Sequence, residues 1–364
     1  MTTKRATCYS LPRLRGRVRE GAAPRPRLAV RAPSPALPRK RRRETAALAF
    51  TFIALTIICF GHPAAAADKI SFGQVSPTAT VWPGTVATRK GFFAANNVEM
   101  DPVSIGVSPG MQAVAAGSLD IMHNTCNAPI SFYEGGGNNV RISMVSMSIH
   151  PAVLIGKKGV KSIEELKGKV IGTSSIKSGS TILLRRLLKA HGLGDKDYDV
   201  VAGQGSAQIF NGLQAGALDA VWLVPPQSYT AASAGYAVLG SFREVAPKFP
   251  FVCFVTNSQW LKTKADVGRR FVKAWLAAVN WLHDPVNRAE AEQLLAAELK
   301  VSADAAAKTY DDLIVKNPDT FPRNGRIETD ALRAMLAIMI EGEELNAMPQ
   351  GDIRKYVDDT LLSE

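Results

Sequence analysis

From residue 68 onward, short apolar runs alternate with stretches of helical period. Residues 69–74, 98–104, 119–123, 140–146 and 152–156 read as strands. A helix is expected over about 82–95, with shorter ones over 111–116 and 128–134. This alternation predicts an α/β fold with mostly parallel sheets covered by helices. After residues 251–257 the pattern changes. Segments 266–282, 288–299, 302–313, 328–341 and 352–362 keep helical spacing with little strand signal, so a helical C-terminal tail is expected to wrap back over the first half. The pattern A-G-x-L-D occurs at Ala116-Gly117-Ser118-Leu119-Asp120 and again at Ala215-Gly216-Ala217-Leu218-Asp219. Each copy puts a glycine where a helix ends and the chain must turn back to the sheet. Two halves of like construction are the expectation.

The net charge of +12 would suggest a nucleic-acid partner. Its distribution removes that reading. The first 67 residues carry fourteen Lys and Arg against two acidic residues, whereas the rest holds thirty of each sign. The basic character belongs to a leader. Arg39-Lys40-Arg41-Arg42-Arg43 precedes an uncharged apolar run over 46–60, and Ala64-Ala65-Ala66-Ala67 supplies small residues for cleavage before Asp68. The run falls short of the ~20 residues a membrane span needs, so an export signal is preferred over an anchor and the mature chain is expected in the periplasm. Arg42-Arg43 fits a twin-arginine signal poorly, and residues 1–38 are expected to be disordered. Two cysteines remain in the mature chain, Cys126 and Cys253, both in apolar segments, and they read as separate buried thiols. His123, His150, His191 and His283 are scattered without metal-ligand spacing, so neither metal nor cofactor is indicated.

One stretch stands out chemically. In residues 171–188, IGTSSIKSGSTILLRRLL, a short strand runs through small hydroxyl residues into an amphipathic helix. Such a helix start offers unpaired N–H groups with Ser178, Gly179, Ser180 and Thr181 beside them. Self-capping of the helix explains most starts of this kind.

Several segments resemble periplasmic solute-binding proteins of ABC importers, in the nitrate/sulfonate/taurine and thiamine-pyrimidine group. They are Ile70-Ser71-Phe72-Gly73-Gln74, Lys90-Gly91-Phe92-Phe93, the run from Ser108 to Asp120, His150-Pro151-Ala152-Val153-Leu154-Ile155 and the run from Ser162 to Lys169. The resemblance implies a two-lobed periplasmic-binding-protein fold, type II-like, with two crossover segments and hinge closure on a ligand. Lobe one would comprise 68–152 and 252–364, and lobe two 153–251. It also turns residues 173–181 into a cleft-facing loop at the strand ends, suited to an anionic or strongly polar group. Partner positions follow. Trp82 is available to stack on a planar ligand; Ser108 opens a helix; Asn124, Thr125 and Asn127 end a strand, with His123 either joining them or packing in the core. In the second lobe Gln204 and Ser206 precede a helix, Pro226 and Gln227 follow the strand 220–224, and Trp222 faces either way. No cationic residue is secured to the pocket, Lys177 reading as a solvated loop charge. The implied role is a monomeric, non-catalytic protein delivering a small solute to an ABC transporter permease. A pyrimidine-precursor-related enzyme and a ligand sensor acting through a partner are the alternatives.

Overall fold

The computed structural model describes residues 66–176, 178–203 and 205–363. The expected leader up to residue 65, Lys177 and Gln204 lie outside the described residues. The chain runs through β1 (Asp68–Gln74), a 3-10 turn (Ala79–Val81), α1 (Trp82–Arg89), α2 (Phe92–Ala95), β2 (Val98–Ser104), α3 (Val107–Ala115), β3 (Ile121–Thr125), α4 (Asn127–Glu134) and β4 (Val140–Met147). After a crossover come β5 (Val153–Gly156), β6 (Val170–Thr173), α5 (Gly179–Ala190), β7 (Asp199–Ala202), α6 (Ser206–Gln214), β8 (Ala220–Leu223), α7 (Gln227–Ser233), β9 (Ala237–Ser241) and α8 (Phe242–Val245). A second crossover leads to β10 (Val252–Asn257), followed by α9 (Ser258–Leu282), α10 (Arg288–Leu299), α11 (Ala303–Tyr310) and α12 (Thr329–Glu341).

Two five-stranded sheets result, ordered β2-β1-β3-β10-β4 and β7-β6-β8-β5-β9. They are mixed rather than mostly parallel. β10 runs antiparallel to both β3 and β4, and β5 antiparallel to both β8 and β9. Each crossover strand enters the opposite sheet from its far end, a non-local pairing that local periodicity does not encode. The edge strand β2 is exposed along most of its length and carries Asp101 and Pro102, residues that blunt an open edge. The central strands β3 and β10 are buried almost throughout; β10 is largely apolar, whereas β3 changes from Ile121 and Met122 to the polar His123, Asn124 and Thr125.

The repeated pentapeptide marks equivalent places in the two sheets. Gly117 and Gly216 both sit in the left-handed region, at φ 75° and 77°. The closing aspartates do the same work. Asp120 Oδ2 accepts from the Ser71 N–H at 2.8 Å, and Asp219 Oδ2 accepts from the Val170 N–H at 3.1 Å, each tying a turn to the strand that stands second in its sheet's row.

Three expectations are corrected. The helix over 82–95 breaks at Gly91, whose φ of 74° ends α1. Residues 352–362 form two 3-10 turns, Ile353–Tyr356 and Asp359–Leu362, not a helix. The C-terminal helices also do more than cover the first sheet. Arg243 of α8 holds Asp312 at 2.7 Å, and Arg186 of α5 pairs with Glu341 of α12, so the tail ties to elements of both sheets.

Candidate functional site

Between the two sheets lies a cavity of about 80 Å³, room for several waters or a ligand of a few heavy atoms. The first turns of α3, α5 and α6 reach its wall through Val107, Ser178, Ser180 and Ser206, and the loop after β1 contributes Ser76, Thr78 and Thr80. Helix N-termini carry unpaired N–H groups and partial positive charge, so their convergence favours a polar or anionic group. Among the described residues lining the cavity, none is Asp, Glu, Lys or Arg.

The end of β3 supplies the free hydrogen-bonding capacity. Asn124 Oδ1 accepts from the Thr125 N–H at 2.8 Å, which fixes the amide and leaves Nδ2 buried without a partner. Thr125 Oγ1 is likewise buried and unpartnered. Leaving such groups dry and unpaired costs about 1–3 kcal/mol each, so both are poised for a ligand. His123, on the same strand, also lines the cavity. Its Nε2 lies 2.8 Å from Ser146 Oγ, and burial pushes its pKa down to about 3. It is a neutral imidazole.

The hydroxyl-rich start of α5 is mostly engaged with itself. Ser178 is the N-cap, accepting from the Thr181 N–H at 3.4 Å and donating to Ser175 O at 3.0 Å. The Trp222 indole N–H donates to Thr173 Oγ1, which hydrogen-bonds Thr181 Oγ1 at 2.6 Å, and Thr181 donates to Ser175 O. Thr181 thus has no proton left to give. Ser180 alone points its chemistry elsewhere, toward His150 Nε2 at 2.8 Å. The Gly179 N–H donates to Asn127 Oδ1 at 3.1 Å, while Asn127 Nδ2 donates to Glu344 at 2.8 Å. That bridge needs glycine, because a Cβ there would stand 2.6 Å from Asn127 Oδ1.

Of the residues singled out from the sequence, Asn124, Thr125, Ser178 and Ser180 line the cavity together, as do Ser206 and Trp222. Ser108, Asn127 and Thr181 instead line an adjoining groove of about 640 Å³, walled on its far side by Arg185 and Glu344. Trp82 stands away from the cavity: it is 1% exposed, begins α1, and meets Tyr310 edge-on at 6.1 Å within the core. Pro226 and Gln227 open α7 but do not line the cavity, whose wall there is Val224. Phe251 of the second crossover and Val252 of β10 line it and escaped the sequence reading, because only the antiparallel docking of β10 beside β3 brings them there.

The two cysteines are buried and unlinked, but they are not separate. Cys253 pairs across from Asn124, and the Cys126 N–H donates to Phe251 O. Burial first, then the neighbouring Cys253 thiol, raises the Cys126 pKa. Among the described residues no cluster of His, Cys, Asp or Glu could hold a metal ion, and no helix is long and apolar enough to cross a membrane.

The NMT1-like family model matches residues 64–296, and the chain belongs to that family. By sequence it is 29% identical over 123 residues to a Haemophilus influenzae protein named for thiamine biosynthesis. The match covers 32% of this chain, which spans about 37% of that relative's length. Among solved structures, it resembles the ligand-binding component of an ABC-type import system from Staphylococcus aureus, solved with zinc bound. That likeness has a TM-score of 0.65 at 15% identity and covers 81% of this chain and 97% of the other. It also resembles the alkanesulfonate-binding protein of Xanthomonas axonopodis bound to MOPS, with a TM-score of 0.63 at 16% identity over 77% and 94% of the two chains. The fold is the two-sheet architecture of periplasmic binding proteins.

Proposed function

We propose that this chain is the extracytoplasmic solute-binding component of an ABC-type importer, holding a small polar solute between its two sheets and presenting it to a permease. One observation carries the reading. Asn124 Nδ2 and Thr125 Oγ1 are buried and unpartnered on a wall where three helix N-termini converge and the described lining is uncharged. Without a carboxylate on that wall, a cationic solute has no counter-charge. An uncharged or anionic solute is served by N–H and hydroxyl donors. The likeness to import-system and alkanesulfonate-binding structures supports the transport role and the periplasmic location. The lobes divide as 68–152 with 252–364, and 153–251, the crossovers at 148–152 and 246–251 acting as the hinge.

The test is a thermal-unfolding screen of the purified protein, first unfolded and refolded to strip carried solute, against sulfonates, carboxylates, nitrate, nucleobases and thiamine precursors. A ligand at 100 times its Kd adds about 2.7 kcal/mol, which raises the midpoint by several degrees. A saturable shift from one chemical class, lost in Asn124→Ala, is the expected result. Silence across the panel, or chemical conversion of the stabilising compound, would overturn the binding-protein reading, the latter in favour of an enzyme.

A further inference from the structure

One buried histidine, His123, lines the cavity, and a second, His150, lies behind its wall against Ser180 and Phe251; the groups around them determine which nitrogen of each carries the proton. His150 lies in the first crossover, fully buried and stacked on Phe251 of the second crossover at 3.6 Å between ring centroids. Its Nδ1 accepts the Ala152 N–H at 3.3 Å, so Nδ1 holds a lone pair and the proton of the neutral ring sits on Nε2. The 2.8 Å contact to Ser180 Oγ is therefore donated by the histidine, and the serine accepts. Ser180 keeps its own hydroxyl hydrogen, with no acceptor for it among the described residues, on a side chain that lines the cavity.

His123 is governed by a different neighbour. Ser146 Oγ also lies 3.2 Å from Val252 O, which can only accept; with the hydroxyl hydrogen directed there, the 2.8 Å contact with His123 Nε2 is donated by the ring. Nδ1 of His123 is then an acceptor, with no partner among the described residues. The ring is held by Phe72 and Phe254 at 5.4 and 5.7 Å between centroids, which prevents a casual flip.

We infer that His150 and His123 are positioning and specificity residues that set the hydrogen-bond polarity of the cavity: His150 turns Ser180 into a donor, while His123 presents an acceptor through Nδ1. With Asn124 Nδ2 as a second donor, the wall suits a small solute that carries an acceptor oxygen or nitrogen and a donor N–H or O–H on the same molecule. A fully ionised oxyanion without hydrogen would satisfy Ser180 and Asn124 but leave His123 Nδ1 unpaired. This rests on the solute-binding reading for its ligand, though not for the tautomers.

The experiment is long-range ¹H–¹⁵N correlation NMR of the imidazole-labelled protein at pH 7. Both rings are expected as the neutral Nε2–H tautomer. In Ser180→Ala the His150 Nε2–H should lose protection from solvent exchange while His123 is unchanged, and Ser180→Thr, which keeps a hydroxyl, should restore it. Ser146→Ala should release the His123 tautomer while leaving His150 alone. An Nδ1–H tautomer at either ring in the unmodified protein would overturn the inference, and this readout needs no ligand. The solute consequence is probed with glycolate against acetate, which differ by one hydroxyl. Glycolate is expected to bind at least about tenfold tighter. Stabilisation by both alike, or by neither, overturns the acceptor role of His123.

Discussion

The two sheets share one plan. The strand orders match position for position, each with a returning antiparallel strand fourth in the row, and Asp120 and Asp219 close equivalent turns. What differs is the chemistry at the strand ends. The end of β3 carries Asn124 and Thr125 with unspent hydrogen-bonding groups, whereas the equivalent end of β8 runs into Val224, Pro225 and Pro226. The loops before the first helices differ as well. After β1 the first helix begins with a buried Trp82, and after β6 it begins with a serine cap and Ser180 facing the cavity. A repeated scaffold thus supplies position alone; on the proposed reading, recognition falls to a few side chains at the sheet ends, on one sheet at β3 and on the other at α5.

The largest effect that would break this comparison is at Trp82. If it belongs to the core, Trp82→Ala lowers the unfolding free energy by about 3–5 kcal/mol while leaving solute affinity in the folded protein unchanged. Urea unfolding beside a titration separates the two, and a selective loss of affinity would return the residue to the site. Next, Asn124→Ala combined with Thr125→Val is expected to weaken solute binding about 100-fold, or roughly 2.7 kcal/mol. Isothermal titration measures it. Acid is the third probe. His123 has its pKa lowered to about 3 by burial, so the unfolded chain binds the extra proton. The stability this neutral ring contributes is complete above about pH 6.5 and is lost as pH falls toward 3, at about 1.4 kcal/mol per pH unit. Urea midpoints at pH 7 and pH 5 should show it, and His150, lowered by burial and by Arg243, acts in the same direction. Gly179→Ala should follow with about a tenfold loss of affinity, about 1.4 kcal/mol, because its Cβ would push Asn127 away. Smallest of all, Gln227→Ala, at the start of α7 beyond the end of β8, should change affinity by less than about twofold.

Much of the fold was legible because it is local. Alternating strands and helices, the glycine turns at Gly117 and Gly216, and the helix starting at Gly179 all follow from spacing and propensity over a few residues. The loops facing the cavity were legible for the same reason. Which side chain within a loop faces inward was not. Trp82 and the threonines at 78 and 80 share one segment, and only the packing of α1 against the tail decides that the indole goes to Tyr310. The antiparallel β10, the adjoining thiols of Cys126 and Cys253, and the cavity-facing Phe251 all depend on a pairing across more than 120 residues of chain. Ser178 and Thr181 show a further limit. Their hydroxyl pattern matched both a ligand cradle and a capped helix, and their bonds in the structure are spent on capping and on Ser175.

If the chain holds a solute as proposed, the Glu344–Asn127–Gly179 bridge has a consequence for how long that solute stays. Asn127 occupies one N–H of the α5 N-terminus and is itself anchored by a carboxylate from the segment after α12. Any parting of the two sheets must break this contact before the cavity opens, whichever molecule lies inside. It therefore sets a floor under the residence time common to all solutes. On the proposed reading, differences among them are then written on top of that floor by the groups at Asn124, Thr125, Ser180 and His123.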